Sequence, residues 1–72
     1  MKKFEVGTYK TFVGNFETTY TIEKISKSYV TVTFHKGGKY EVTKKCKVID
    51  CGNFQYCYFK EITLESTDDK IA

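Results

Sequence analysis

Three cysteines, one histidine and nine carboxylates are the residues here that could do chemistry, and the cysteines stand closest together. They fall in Lys44 to Phe59, KKCKVIDCGNFQYCYF, with the spacing C-x4-C-x5-C among lysines and aromatics. A structural zinc site draws its ligands from paired short spacings such as C-x2-C, and the single His35, a hairpin away, does not complete one. No metal or other cofactor is expected. A nucleophilic cysteine needs a base within hydrogen-bond reach, and His35 lies at the far end of the sheet from Cys57. Glu41 and Glu61 fall opposite each other on an exposed face, where two carboxylates repel mildly but have no pocket to set them apart as acid and base. Gly37-Gly38 leads into no helix whose N-terminus could hold a phosphate. Catalysis is therefore not the expected activity.

The elements that must position these residues are strands. Phe16 to Ile22 alternates with Phe16, Tyr20 and Ile22 on one face, and Tyr29 to Phe34 alternates with Val30, Val32 and Phe34. A run from Tyr40 to Val48 carries Tyr40, Val42, Cys46 and Val48 in phase, and one from Phe54 to Leu64 carries Phe54, Tyr56, Tyr58, Ile62 and Leu64. Phe4 to Phe12 is a less regular first strand, ended by Gly14-Asn15. Five short strands with tight turns predict an all-β fold, a small five-stranded SH3-like barrel or a strongly bent antiparallel sheet. Residues 1–64 form the single domain, and the acidic residues 65–72 form a frayed tail.

Turn lengths set the register, because a slip of one residue turns every apolar side chain to the other face. Three-residue turns are preferred at Lys36-Gly37-Gly38, Asp50-Cys51-Gly52 and Ile25-Ser26-Lys27. They set Phe34 against Tyr40, Val48 against Phe54, Cys46 against Tyr56 and Ile22 against Val30. A two-residue Cys51-Gly52 turn would instead bring Cys46 opposite Cys57, within bridging reach, but would pair Val48 with Gln55. In the preferred register Cys46 is a small core residue, Cys51 a turn residue and Cys57 a surface thiol beside Lys45. Lys44 and Lys60 then fall on the inner face and need a bulge or strand end to reach water. The outer face is rich in threonine, with Tyr29 and Phe59 exposed and Lys45, Lys47 and Cys57 beside them. These five residues are the candidate binding site, and truncating Tyr29 or Phe59 is expected to spare stability.

Composition narrows the partner. The 72 residues are 40% hydrophobic with six Phe, six Tyr and no Pro, so the chain folds, at a size where a core is barely sufficient and a deep active site is not expected. All twelve basic residues are Lys, so bidentate guanidinium reading of guanine edges is absent. Residues 24–47 hold seven Lys against Glu41 alone, a local charge of +6, whereas residues 61–72 carry −3. The N-terminus has no apolar run of signal-peptide or membrane-span length, so the expected compartment is the cytoplasm, without a membrane partner and with reduced thiols. Lysines beside aromatics suit nucleic acid, where ammonium groups meet phosphates and rings stack on bases. Exposed aromatics flanked by threonine equally suit a protein interface.

Phe4 to Tyr9, Thr21 to Val32, Lys45-Cys46-Lys47-Val48 and Phe54 to Phe59 together resemble small SH3-like barrel proteins carried by phages and mobile elements of low-GC bacteria. The resemblance implies a non-catalytic module that occupies a host protein or protein complex, in the setting of anti-defence inhibitors such as anti-CRISPR proteins. It carries over no family site residue. A Lys-rich SH3-like nucleic-acid binder is the alternative.

Overall fold

The alternating runs form strands because β-branched and aromatic residues fit a pleated, half-buried surface. The computed structural model describes residues 2–72. Its strands are β1 (Gly7–Val13), β2 (Phe16–Ser26), β3 (Tyr29–Phe34), β4 (Val42–Lys47), β5 (Ile49–Asp50), β6 (Gln55–Phe59), β7 (Ile62–Glu65) and β8 (Asp69–Lys70). They form a five-stranded antiparallel sheet in the order β4-β3-β2-β1-β8 and a three-stranded sheet in the order β5-β6-β7. The fold is all-β, as the alternation predicts, and the sheets do not close into a barrel. Among the described residues no helix is long and apolar enough to cross a membrane.

The β1–β2 hairpin turns on Gly14, at φ 64°, and Asn15, with Val13 opposite Phe16. Between β2 and β3 a two-residue turn sets Ser26 opposite Tyr29, and a bulge between Ile22 and Lys24 restores phase, so Ile22 meets Val32 rather than Val30. The β3–β4 loop is longer than the expected turn, spanning residues 35–41. The Glu41 carboxylate accepts the Gly37 N–H (2.8 Å) and holds the loop closed. Phe34 therefore meets Val42, and Tyr40 is exposed rather than paired. That slip is an even number of residues, so Cys46 stays buried and Lys45 and Lys47 stay outside. Lys44 has the inner phase but reaches water because β4 is an edge strand.

The second sheet departs from expectation. The chain bends at Val48, whose N–H reaches the Ser28 carbonyl (2.8 Å), and turns on Gly52 (φ 89°) and Asn53, with the Cys51 N–H on the Phe54 carbonyl (2.9 Å). Ile49 then meets Tyr56, which places β6 three residues from the expected register. An odd slip reverses the faces. Cys57 and Phe59 point inward, 0% and 3% exposed, while Phe54, Tyr56 and Tyr58 point outward. The run from Phe54 to Leu64 is two strands, folded at a tight Lys60-Glu61 turn in which Lys60 adopts φ 57° and faces water.

The core is Phe4, Tyr9, Tyr20, Ile22, Val30, Val32, Phe34, Cys46, Cys57, Phe59 and Leu64. A chain of rings runs through it: Tyr9 stacks on Tyr20 (5.4 Å), Tyr20 lies 5.8 Å from Phe34, and Phe34 meets Phe59 edge-on at 4.6 Å. Such pairs each add about 0.5–1.5 kcal/mol beyond their burial.

The C-terminal residues are not a frayed tail. Ser66 is fully buried; its hydroxyl accepts the Gln55 N–H and donates to the Lys2 carbonyl, both at 2.8 Å. The Tyr20 phenol donates to the Asp68 carboxylate (2.8 Å), which also accepts the Glu65 N–H (3.1 Å). Beyond that turn β8 pairs with Tyr9 and Lys10, and Ala72 bonds the main chain of Thr8. Gly7 permits this approach, since a Cβ there would collide with the Ala72 carbonyl. Acidic composition signals solvent contact but does not register these buried anchors.

Candidate binding face

Directly opposed residues share a face, so the register of the large sheet defines its outer surface. Thr8, Thr21, Thr33 and Thr43 make one row across four strands; Lys24, Thr31 and Lys45 make the next; Ser26, Tyr29 and Lys47 make a third. The threonine row is internally bonded. Thr43 donates to Thr33 (2.8 Å), which donates in turn to the Glu23 carboxylate (3.0 Å). Glu23 also takes the Lys36 ammonium at 2.6 Å, and that hydrogen bond holds its carboxyl below the usual range. Lys36 and Glu23 thus neutralise each other, whereas Lys24, Lys45 and Lys47 enter no ion pair among the described residues.

Of the five residues predicted for the site, the structure brings Tyr29, Lys45 and Lys47 together. Tyr29 is 39% exposed and the Lys45 ammonium stands 4.9 Å above its ring, a cation–π contact worth about 0.5–1 kcal/mol at an exposed site. Cys57 and Phe59 are not part of the face; the odd slip in β6 puts both beneath it, in the core. Cys57 lies against Cys46, and that contact followed by burial pushes its thiol well above the ordinary range. The exposed thiol is Cys51, in the β5–β6 turn. Alkylation of the native protein by iodoacetamide is therefore expected at Cys51, with Cys46 and Cys57 modified only on unfolding. Modification of Cys57 at the rate of Cys51 would place the β6 register in error. Among the described residues, no group of three His, Cys, Asp or Glu gathers in metal-binding distance.

Two surfaces escaped the reading of the sequence. Phe54, Tyr56 and Tyr58 form an outward stripe on the small sheet, with ring centroids 6.3 and 5.7 Å apart and Tyr58 54% exposed. Phe12, Val13 and Phe16 crown the β1–β2 hairpin, where Phe16 is 79% exposed although its phase is that of Tyr20 and Ile22. Pairing of β2 with β3 ends at Tyr20–Phe34, so the hairpin tip projects past that pairing and leaves Phe12 and Phe16 exposed. Val13, Phe16, Thr18, Phe34, His35 and Ile62 line an open apolar cleft of about 260 Å³ beside it. The available signal was the Phe-Val-Gly-Asn-Phe run itself, which is apolar on both faces of a tight turn.

No family model, curated protein or solved structure matches this chain.

Proposed function

We propose that the protein is a non-catalytic binding module that acts in the cytoplasm by occupying another protein, as an inhibitor or regulator of a host protein in the manner of phage and mobile-element anti-defence proteins. The observation that carries this reading is the outward stripe of Phe54, Tyr56 and Tyr58. Tyrosine is a usual anchor of protein interfaces, joining a large rigid ring to a polar tip, and these rings form one patch rather than scattered apolar residues. The exposed hairpin tip adds apolar surface of the same character. Tyr58→Ala is expected to cost about 1–3 kcal/mol of partner binding and leave stability nearly unchanged. The check is capture of the partner from a host lysate, with wild-type and variant melts run in parallel. Equal capture by the two would remove the stripe from the interface.

A nucleic-acid partner is the second reading, favoured by the Tyr29, Lys24, Lys45 and Lys47 face. On that reading Lys45→Ala weakens binding to every sequence and lowers the salt slope by about one unit, whereas a protein partner responds mainly through slower association at low salt. Oligonucleotide titration across salt decides between them.

A further inference from the structure

The unclosed seam between the two sheets is a second feature with the form of a binding site. Among the described residues β8 pairs with β1 at Tyr9 and Lys10, so Thr11, Phe12 and Val13 have no strand neighbour on that side, and β7 has none on the side away from β6. The two bare edges face each other. Lys10, Thr11 and Phe12 share a groove of about 360 Å³ with Thr63, Glu65, Thr67, Asp68 and Asp69, and Val13 shares the adjoining apolar cleft with Ile62. This volume lies within the range of about 300–1,000 Å³ found for ligand clefts.

Hairpin parity shows which main-chain groups point into the seam. In an antiparallel ladder, mutually bonded pairs alternate with pairs whose N–H and C=O groups point outward, and a two-residue turn is closed by a bonded pair. In β1 the closing pair is Val13–Phe16, so Phe12, Lys10 and Thr8 aim their main chain toward β8. Thr8 does bond Ile71 and Ala72 there, which confirms the phase. In β7 the closing pair is Phe59–Ile62, so Thr63 and Glu65 aim outward. Glu65 is occupied, its N–H on the Asp68 carboxylate and its carbonyl accepting the Asp68 N–H (3.0 Å). That leaves Phe12 on one wall and Thr63 on the other, each with an N–H and a C=O directed into the groove.

We propose that the seam receives an extended, basic segment of a partner protein, added as a strand with Phe12 and Thr63 as its main-chain rungs. The charge selects the partner. Glu65, Asp68 and Asp69 line the groove against Lys10, which is itself held 3.7 Å from Glu17, so the site is acidic although the whole chain is basic. The apolar cleft at Val13 and Ile62 takes an uncharged side chain from the same segment, since alternate residues of an added strand enter pockets on one side. The inference rests on the protein-binding reading and names a site for it separate from the tyrosine stripe.

The test is an NMR titration of the full chain with a short capped peptide of alternating lysine and valine. The amides of Phe12 and Thr63 are expected to exchange rapidly in the free protein, then to shift and gain protection as peptide is added. The same peptide N-methylated at alternate residues, or with glutamate in place of lysine, is expected to bind about tenfold more weakly or worse, the loss of a ladder bond or of charge complementarity. Thr63→Pro removes only an outward N–H on an edge strand, where proline is tolerated, and is expected to remove the donor half of the Thr63 rung and weaken peptide binding. Slow exchange of both amides in the free protein, equal binding of the N-methylated peptide, or no response up to about millimolar peptide would each overturn the proposal. So would concentration-dependent shifts without peptide, which would make a second copy the occupant. Shifts confined to the Tyr58 stripe would sink the seam while leaving the protein-binding reading intact. Competition by oligonucleotide in the lysate capture tests that reading separately.

Discussion

Phe59→Ala is expected to remove most of the stability of the protein. The ring is 3% exposed and packs edge-on against Phe34 at 4.6 Å, joining the small sheet to the row of rings from the large one. Truncating a buried Phe costs about 3–5 kcal/mol in lost transfer energy and residual cavity. A domain of this size holds a reserve near the low end of about 5–15 kcal/mol. Urea melts should place Phe59→Ala beside Phe34→Ala, with Phe59→Leu retaining most of the stability because it refills much of the space. Tyr29→Ala should lose only the modest contact with Lys45. A Phe59→Ala protein as stable as wild type would return that ring to the surface and with it the face first read from the sequence.

What separates Phe59 from Tyr29 is the parity of two register slips. The strands were legible because alternation marks a half-buried strand whatever its partner, and β3 shows its full pattern with Val30, Val32 and Phe34 inside. Loop lengths were less legible. In the β3–β4 loop the Glu41 carboxylate and Gly37 stabilise a longer excursion than a turn, a side-chain bond that spacing does not encode. Because the slip there was even, Cys46, Lys45 and Lys47 kept their faces. At Asp50 to Gln55 the slip was odd, and Cys57 and Phe59 exchanged places with Tyr56 and Tyr58. The run QYCYF is ambiguous by nature, since tyrosine suits a core or a surface and both of its alternating sets are apolar enough to bury. Glu61 was a usable signal, because a charged pair with Lys60 in the middle of an apolar run marks the β6–β7 turn. The tail was misread for a different reason. Its order comes from the Tyr20 phenol on Asp68 and from buried Ser66, contacts 48 and 64 residues away in sequence for their partners Tyr20 and Lys2.

Alkaline pH is expected to destabilise the protein steeply, through the buried Cys57 thiol and two buried phenols, of which Tyr20 contributes more than Tyr9. Tyr20 is 1% exposed and its phenol donates to the Asp68 carboxylate; burial, then that bond, push its ionisation far above the ordinary tyrosine value. Tyr9 is shifted the same way by its burial. The unfolded chain releases these protons near pH ~10, while the folded chain keeps them, so the folded state holds more protons above that point. Stability is therefore unaffected by these groups below about pH 9 and falls as pH rises past about 10, by about 1.4 kcal/mol per pH unit for each phenol retained. A small reserve is exhausted within a few pH units of the onset. Tyr20→Phe isolates the larger of the two phenol contributions. At neutral pH it is less stable than wild type by about 1–3 kcal/mol, because Asp68 loses a donor and keeps only the Glu65 N–H. Above about pH 10 the variant has one fewer proton to retain, so its urea midpoint declines less steeply and the gap to wild type narrows. A gap that stayed constant between about pH 8 and about pH 11 would mean that the Tyr20 phenol ionises alike in the folded and unfolded chains. The anchor holding the C-terminal strand against β1 would then be something other than a neutral phenol on Asp68.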